Sequence, residues 1–257
     1  MNVHPTAIID PEAEIGDGVT IGPYCVIGPF VVLGEGCWLQ NHVTLCGPSK
    51  IGKGNRFYAY CSIGQQSQDL KYAGEPTYLE IGNENTFREF VTVSRATGKG
   101  NTTRIGNHGN FLAYSHIAHD CDVGDRVIFS NSATLGGHVI VEEYAVLGGL
   151  TAVHQYCRIG KHAITGGCTK IVQDVPPFML VDGNPAEVRG INLVGLERRG
   201  FSADSIRALK EAYRIIYRAK LNTKQALEEL ARNGLADIPE VGDLMQFIEA
   251  SQRGIVR

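Results

Sequence analysis

The sequence lacks the marks of several protein classes. Met1 to Asp10 has neither a basic start nor an apolar run, so no secretory leader is expected. No stretch approaches the ~18 uninterrupted apolar residues of a membrane helix, so no stable membrane insertion is expected. Neither sign of charge dominates: 24 Lys+Arg face 27 Asp+Glu, a net charge of −3. That excludes general attraction to nucleic acid or to an anionic surface. Charged residues at 20% against hydrophobic ones at 43% exclude wholesale disorder. The seven cysteines are an odd number in a chain without an export signal, which fits free thiols in a reducing compartment. The expectation is a soluble, cytoplasmic protein with one large core, or one core and an appendage.

What is abundant is periodic. Stepping by six from Val3 meets Ile9, Ile15, Ile21, Ile27, Leu33, Leu39, Leu45, Ile51, Phe57 and Ile63, then Ile81, Phe87 and Val93. The series returns at Ile105 and continues through Phe111, Ile117, Val123, Phe129 and Leu135 to Ile159 and Ile171. Of the 29 positions, 25 are Ile, Val, Leu or Phe, and these types make up 70 of the 257 residues. Chance supplies about a third as many. Small residues occupy a second register four places on: Ala7, Ala13, Val19, Cys25, Val31, Cys37, Cys61, Cys121 and Cys157. Cysteine there reads as a small buried hydrophobe.

One large and one small inward position per six residues predicts a parallel β-helix. Three hexapeptides make a triangular coil of 18 residues, and coils stack at the spacing of paired strands. Glycine after the aliphatic, as in Ile15-Gly16 and Ile21-Gly22, reads as a tight turn. Periodicity does not give the hand of the coil. Known hexapeptide-repeat proteins wind left-handed, so the expected class is an all-β left-handed parallel β-helix.

The period lapses over about 64–80 and 94–104, both polar and glycine-bearing, which read as loops leaving the prism. It ends at Ile171, before Pro176-Pro177. Helical spacing follows: Phe201-Ser202 as staple and N-cap for Ile206, Leu209, Tyr213 and Ile216, Thr223 as a second cap, and Leu244, Phe247 and Ile248 in a third helix. A β-helix over 1–190 and a helical domain over 191–257 are expected. Asn192 to Arg232 carries nine basic and five acidic residues, net +4.

Chemistry concentrates in the histidines of the later coils: His116, His119, His138 and His154. By the coil period His119 lies under Gly137, and Gly137 under Gln155. His119-Asp120 is the sharpest pair, since a general base needs an imidazole held in one tautomer. No serine or cysteine stands out beside it as a nucleophile, so direct transfer is expected in place of a covalent enzyme intermediate. A metal reading needs a third ligand after His116 and His138. The position that the γ-class carbonic anhydrases would fill holds Glu143, and no metal is expected.

His116 to Cys121 (HIAHDC), Gly137-His138, Gly149 to Gln155 (GLTAVHQ), Gln68 to Glu75 (QDLKYAGE), Asn184-Pro185 and Gly195 to Phe201 (GLERRGF) resemble the UDP-N-acetylglucosamine O-acyltransferases over essentially the whole chain. The resemblance implies transfer of a 3-hydroxyacyl chain from acyl carrier protein to the glucosamine 3-position of UDP-N-acetylglucosamine, the first step of lipid A synthesis. It implies a homotrimer with sites between subunits, and neither metal nor other cofactor. It makes His119 the general base, Asp120 its orienting partner and the Gly137 N–H the oxyanion donor. Gln68, Asp69 and Lys71 would meet the sugar, and His116, His138 and His154 would line the cleft. Gln155, Asn192, Arg198 and Arg199 would lie towards nucleotide and phosphopantetheine, Arg198-Arg199 reading otherwise as an exposed helix start. Gly167 would leave the acyl groove open as a chain-length ruler.

Two positions depart from the family pattern. Ser94 stands where histidine is common, and Val194 where glutamate usually meets the ribose; both bear on the acceptor, whose reacting group is a 3-hydroxyl or a 3-amino. The sister N-acyltransferases carry a domain before their repeats, whereas here the repeat starts at Val3. Acetyl-CoA enzymes of this fold generally lack the QDLKYAGE loop, and a purely structural solenoid needs no histidine cluster.

Overall fold

The computed structural model describes residues 2–257. Short strands form three sheets of eleven, nine and eight strands, the three faces of a left-handed parallel β-helix. All pairings are parallel except the last, where Met179–Asp182 meets Glu187–Ile191 antiparallel. Pairing runs at 18 residues, as in Asn2↔Thr20 and Thr20↔Trp38. It widens at the loops, to Arg56↔Thr86 and then Thr86↔Asn110. The first loop adds twelve residues to its coil and the second adds six. Both insertions are multiples of the repeat, which is why the aliphatic series stays in phase across them.

From Ile21 on the large inward residues are buried almost completely, and four phenylalanines stack up the axis. Phe57, Phe87 and Phe111 lie 5.0 and 4.8 Å apart and nearly parallel, with Phe129 meeting Phe111 edge-on. The small register fills the remaining space. Burial pushes the Cys61 and Cys121 thiols up to about 12, so Cys121, though next to Asp120, is no nucleophile at neutral pH.

One expectation about turns changes. Glycine after the aliphatic is not the left-handed residue; that conformation falls two places later, at Gly18, Tyr24, His42, Tyr60, Asp120 and His138. The glycine answers a different demand, because a Cβ at Gly22 would overlap the Gln40 carbonyl of the next coil. Non-glycine corners cost roughly 1–2 kcal/mol each, and stacking offsets part of this. Tyr24, His42, Tyr60, Phe90 and Tyr114 form one continuous column of near-parallel rings.

The coil also runs past Ile171. Met179–Asp182 adds a strand, and the antiparallel return caps the core before the chain turns helical. Helices α1 (Leu193–Arg198), α2 (Ala203–Tyr217), α3 (Thr223–Arg232) and α4 (Pro239–Glu249) follow. Ser202 caps α2 as read, but α3 is capped by Asn222 in a capping box with Gln225, not by Thr223. Arg198 and Arg199 end α1 instead of starting a helix. The tail returns to the last coils, Val256 N–H donating to Asp174 O and Ser251 Oγ–H to Asp174 Oδ2.

His162 joins the two parts. It stacks between Tyr144 and Phe178, meets Phe201 edge-on, and is 8% exposed. Burial, aided by Arg199 and Lys161, pushes its pKa down to about 4. The unfolded chain protonates this imidazole near 6.5 and the folded one near 4, so its contribution is fully present above about 6.5. It is lost as pH falls towards 4, to about 3 kcal/mol at most. Melting temperature should drop over that window, and His162→Phe should flatten that part of the pH curve.

Candidate active site

Asp120 occupies a left-handed corner with φ of 59°, which turns its carboxylate back onto the preceding imidazole. His119 Nδ1 lies 2.8 Å from Asp120 Oδ2, and the two side chains are 12% and 7% exposed. A carboxylate accepts only, so Nδ1 carries the proton and Nε2 is left as the acceptor. The corner is held from outside: Asp120 N–H donates to Thr103 Oγ1 at 2.9 Å, and Thr97 N–H donates to Asp120 Oδ2 at 2.9 Å.

The neighbouring coil supplies the rest. A Cβ at Gly137 would overlap the His119 ring, so only glycine lets the imidazole lie against this backbone. The Gly137 carbonyl accepts from Tyr156 N–H, while its own N–H makes no hydrogen bond among the described residues. An unspent, buried N–H beside a base is what an oxyanion donor must be. His138 meets His119 edge-on at 5.3 Å and is itself stacked on Tyr156 at 4.5 Å. His116 lies one coil back, its Nδ1 2.7 Å from Thr92 Oγ1. Burial first, then the His119 charge, push its pKa down, so it enters as a neutral hydrogen-bonding group.

The two loops are latched to each other and to the dyad. The Ser67 and Thr97 hydroxyls are 2.5 Å apart, and Glu75 accepts from Gly98 N–H at 2.9 Å and Ala73 N–H at 2.8 Å. Backbone N–H groups, its own first and then that of Ala73, hold the Glu75 carboxyl below the usual range. Asn101 Nδ2 donates to Thr97 O at 2.7 Å and lies 3.5 Å from Asp120 Oδ1. The loop that bears Gln68, Asp69 and Lys71 is thereby tied to the loop that steadies Asp120. Asp69 Oδ1 accepts from Lys71 N–H, while Gln68 and Lys71 project into solvent. Glu75→Ala should cut kcat/KM on the order of ten- to a hundredfold by releasing both loops and leave the melting temperature nearly unchanged; steady-state kinetics beside a thermal melt checks this.

The other expected site residues sit outside this hydrogen-bonded group. Asn192 is 4% exposed and spends its amide on the protein: Nδ2 donates to His162 O, and Oδ1 accepts from Gly195 N–H. It caps α1, and both ends of its amide are occupied. Arg199 lies over the Tyr144 ring at 4.8 Å, whereas Arg198 is exposed. His154 is exposed, with Nδ1 3.0 Å from Gln155 O and 3.5 Å from an Arg253 nitrogen. Gln155 is exposed, Ser94 is buried at 2% and Val194 is exposed. The ligand group the structure assembles is His119, Asp120 and His138, not the set of His116, His138 and Glu143.

Residues 174–256 match the family described as Udp N-acetylglucosamine O-acyltransferase, domain 2, and residues 1–34 match the bacterial transferase hexapeptide repeat. The UDP-N-acetylglucosamine O-acyltransferase of Moraxella catarrhalis is 43% identical over 100% of both chains, with a TM-score of 0.95. LpxA of Acinetobacter baumannii is 41% identical over the same coverage, also at 0.95. The UDP-N-acetylglucosamine acyltransferase of Francisella novicida is 38% identical over 99% of this chain and 94% of its own, again at 0.95.

Proposed function

Because the chain belongs to the UDP-N-acetylglucosamine O-acyltransferase family, we propose that it transfers a 3-hydroxyacyl chain from acyl carrier protein to the glucosamine 3-position of UDP-N-acetylglucosamine, opening lipid A synthesis. The observation that carries the mechanism is the His119–Asp120 pair, which leaves Nε2 free to accept. Nε2 takes the proton of the acceptor hydroxyl as its oxygen attacks the thioester carbonyl. The Gly137 N–H stabilises the oxyanion, with ~3 kcal/mol typical for one such donor. Collapse breaks the C–S bond, and the imidazolium returns its proton to the departing phosphopantetheine sulfur. Protons balance, and neither metal nor other cofactor takes part. Asp69, Lys71 and Gln68 on the first loop hold the sugar. His116, His138, His154 and Gln155 line the cleft, and Arg198 and Arg199 take the phosphate-bearing ends. A homotrimer completes the cleft from a neighbouring subunit; light scattering at the 27.9 kDa of one chain would contradict that.

The test is purified protein with UDP-N-acetylglucosamine or its 3-amino analogue and a series of 3-hydroxyacyl carrier-protein thioesters. Acylation of the 3-hydroxyl is expected; absence of transfer to either acceptor refutes the reading. Ser94, buried where a histidine is common in the family, is the reason to include the analogue. Acyl carrier proteins are acidic, and 192–232 is net +4 with Arg207, Arg214 and Lys224 well exposed. Added salt should therefore raise the KM for the carrier more than that for the sugar nucleotide. Equal sensitivity of the two would remove the steering.

A further inference from the structure

Three atoms of metal-ligating type come together at the base. One each from His119, Asp120 and His138 lies within 4.8 Å of the other two. His119 Nδ1 is 2.8 Å from Asp120 Oδ2, and His138 Nε2 is 3.7 Å from the same oxygen. Zinc holds N and O ligands at about 2.0–2.1 Å in a tetrahedron, which separates the ligand atoms by roughly 3.3–3.4 Å. These two spacings bracket that value, and the third, between the imidazoles, lies within 4.8 Å, so side-chain rotation has to draw the rings together. The parts are already steadied, Asp120 by Thr97 and Thr103 and the His138 ring by its stack on Tyr156. Two imidazoles and one carboxylate are the ligand set of an open zinc site, with a fourth position for water. Magnesium, which wants octahedral oxygen, fits this set poorly.

We propose that His119, Asp120 and His138 form an inhibitory zinc site. Zinc on Nδ1 takes the place of the proton shared with Asp120. That proton moves to Nε2, so the imidazole stays neutral and the proton count is unchanged. Nε2 has then become a donor and no longer accepts the hydroxyl proton, and turnover stops. Binding needs only the three residues; the inhibition rests on His119 being the base, as read above.

Calorimetric titration of the full chain with zinc alone should show one site per chain, emptied by EDTA and not filled by magnesium. His138→Gln and His119→Gln should each weaken that site at least ~10-fold, since even outer residues of a zinc site cost this much. His108→Gln, which alters the surface pair of His108 with Glu84, should leave it unchanged. In turnover assays zinc should inhibit wild-type enzyme at the concentration that fills the site. No zinc uptake, or uptake indifferent to His119 and His138, overturns the site. Filling of the site without inhibition overturns the inhibitory role and with it the assignment of His119, while a site that is absent leaves the acyl transfer reading untouched.

Discussion

His119→Ala should lower kcat by roughly 10²–10⁴-fold, the usual loss when a general base is removed, while far-UV circular dichroism and melting temperature stay close to wild type. Kinetics should suffer more than stability because of where the ring sits. It contacts Asp120, the Gly137 backbone and the His138 edge, and the coil's own core is Ile117, Cys121 and the stacked phenylalanines. KM for the sugar nucleotide should move little. Asp120→Asn should be milder. Asp120 Oδ2 accepts from both Thr97 N–H and His119 Nδ1–H, so the amide oxygen will occupy that position and keep the tautomer. Only the negative charge that stabilises the imidazolium is lost. Near wild-type turnover in His119→Ala would remove it from the mechanism, and an Asp120→Asn variant worse than His119→Ala would mean that the amide sits reversed.

Much of this was legible because a solenoid writes its contacts into sequence spacing. Ile21, Ile27 and Leu33 turn inward because six residues close one side of the prism, and Asp120 faces His138 because eighteen close the coil. The last coil was not legible. Met179–Asp182 packs on Ile164–Thr165 after an irregular crossing through Pro176-Pro177, and its partner runs antiparallel, which no fixed step reveals. The loop latch was hidden for a related reason. Glu75 and Gly98 are 23 residues apart, a separation set by two insertions and not by the repeat. Thr97 reaches Asp120 through its backbone N–H, a group every residue but proline carries, so its side chain held no signal. Asn192 shows the converse. Its place in the motif suggests a ligand contact, and the motif does not reveal its second task, the cap on α1 and the bond to His162 O.

Gly167→Met should shorten the preferred acyl donor by several methylenes and leave the sugar-nucleotide KM nearly unchanged. Glycine is not held at 167 by its backbone conformation: Gly167 is exposed, and its φ lies outside the left-handed range. An ideal Cβ there comes no nearer than 3.4 Å, to the Gly149 carbonyl of the coil before. Gly149 repeats the arrangement over Asn131 O, so successive coils carry no side chain at these two positions, beside the exposed Leu150 and Cys168. An extended acyl chain laid along that edge would end against whatever side chain stands at 167. Each methylene gained or excluded in such a pocket changes discrimination by about 1–3 kcal/mol, so a thioether chain there should reverse the preference between long and short donors. Gly166 supplies the control, because a Cβ at that position would overlap the Asp182 carboxylate; Gly166→Met should lower the melting temperature where Gly167→Met does not. Competition assays with a series of 3-hydroxyacyl carrier-protein thioesters read the outcome, and a Gly167→Met enzyme that keeps the wild-type order of donors would place the ruler elsewhere.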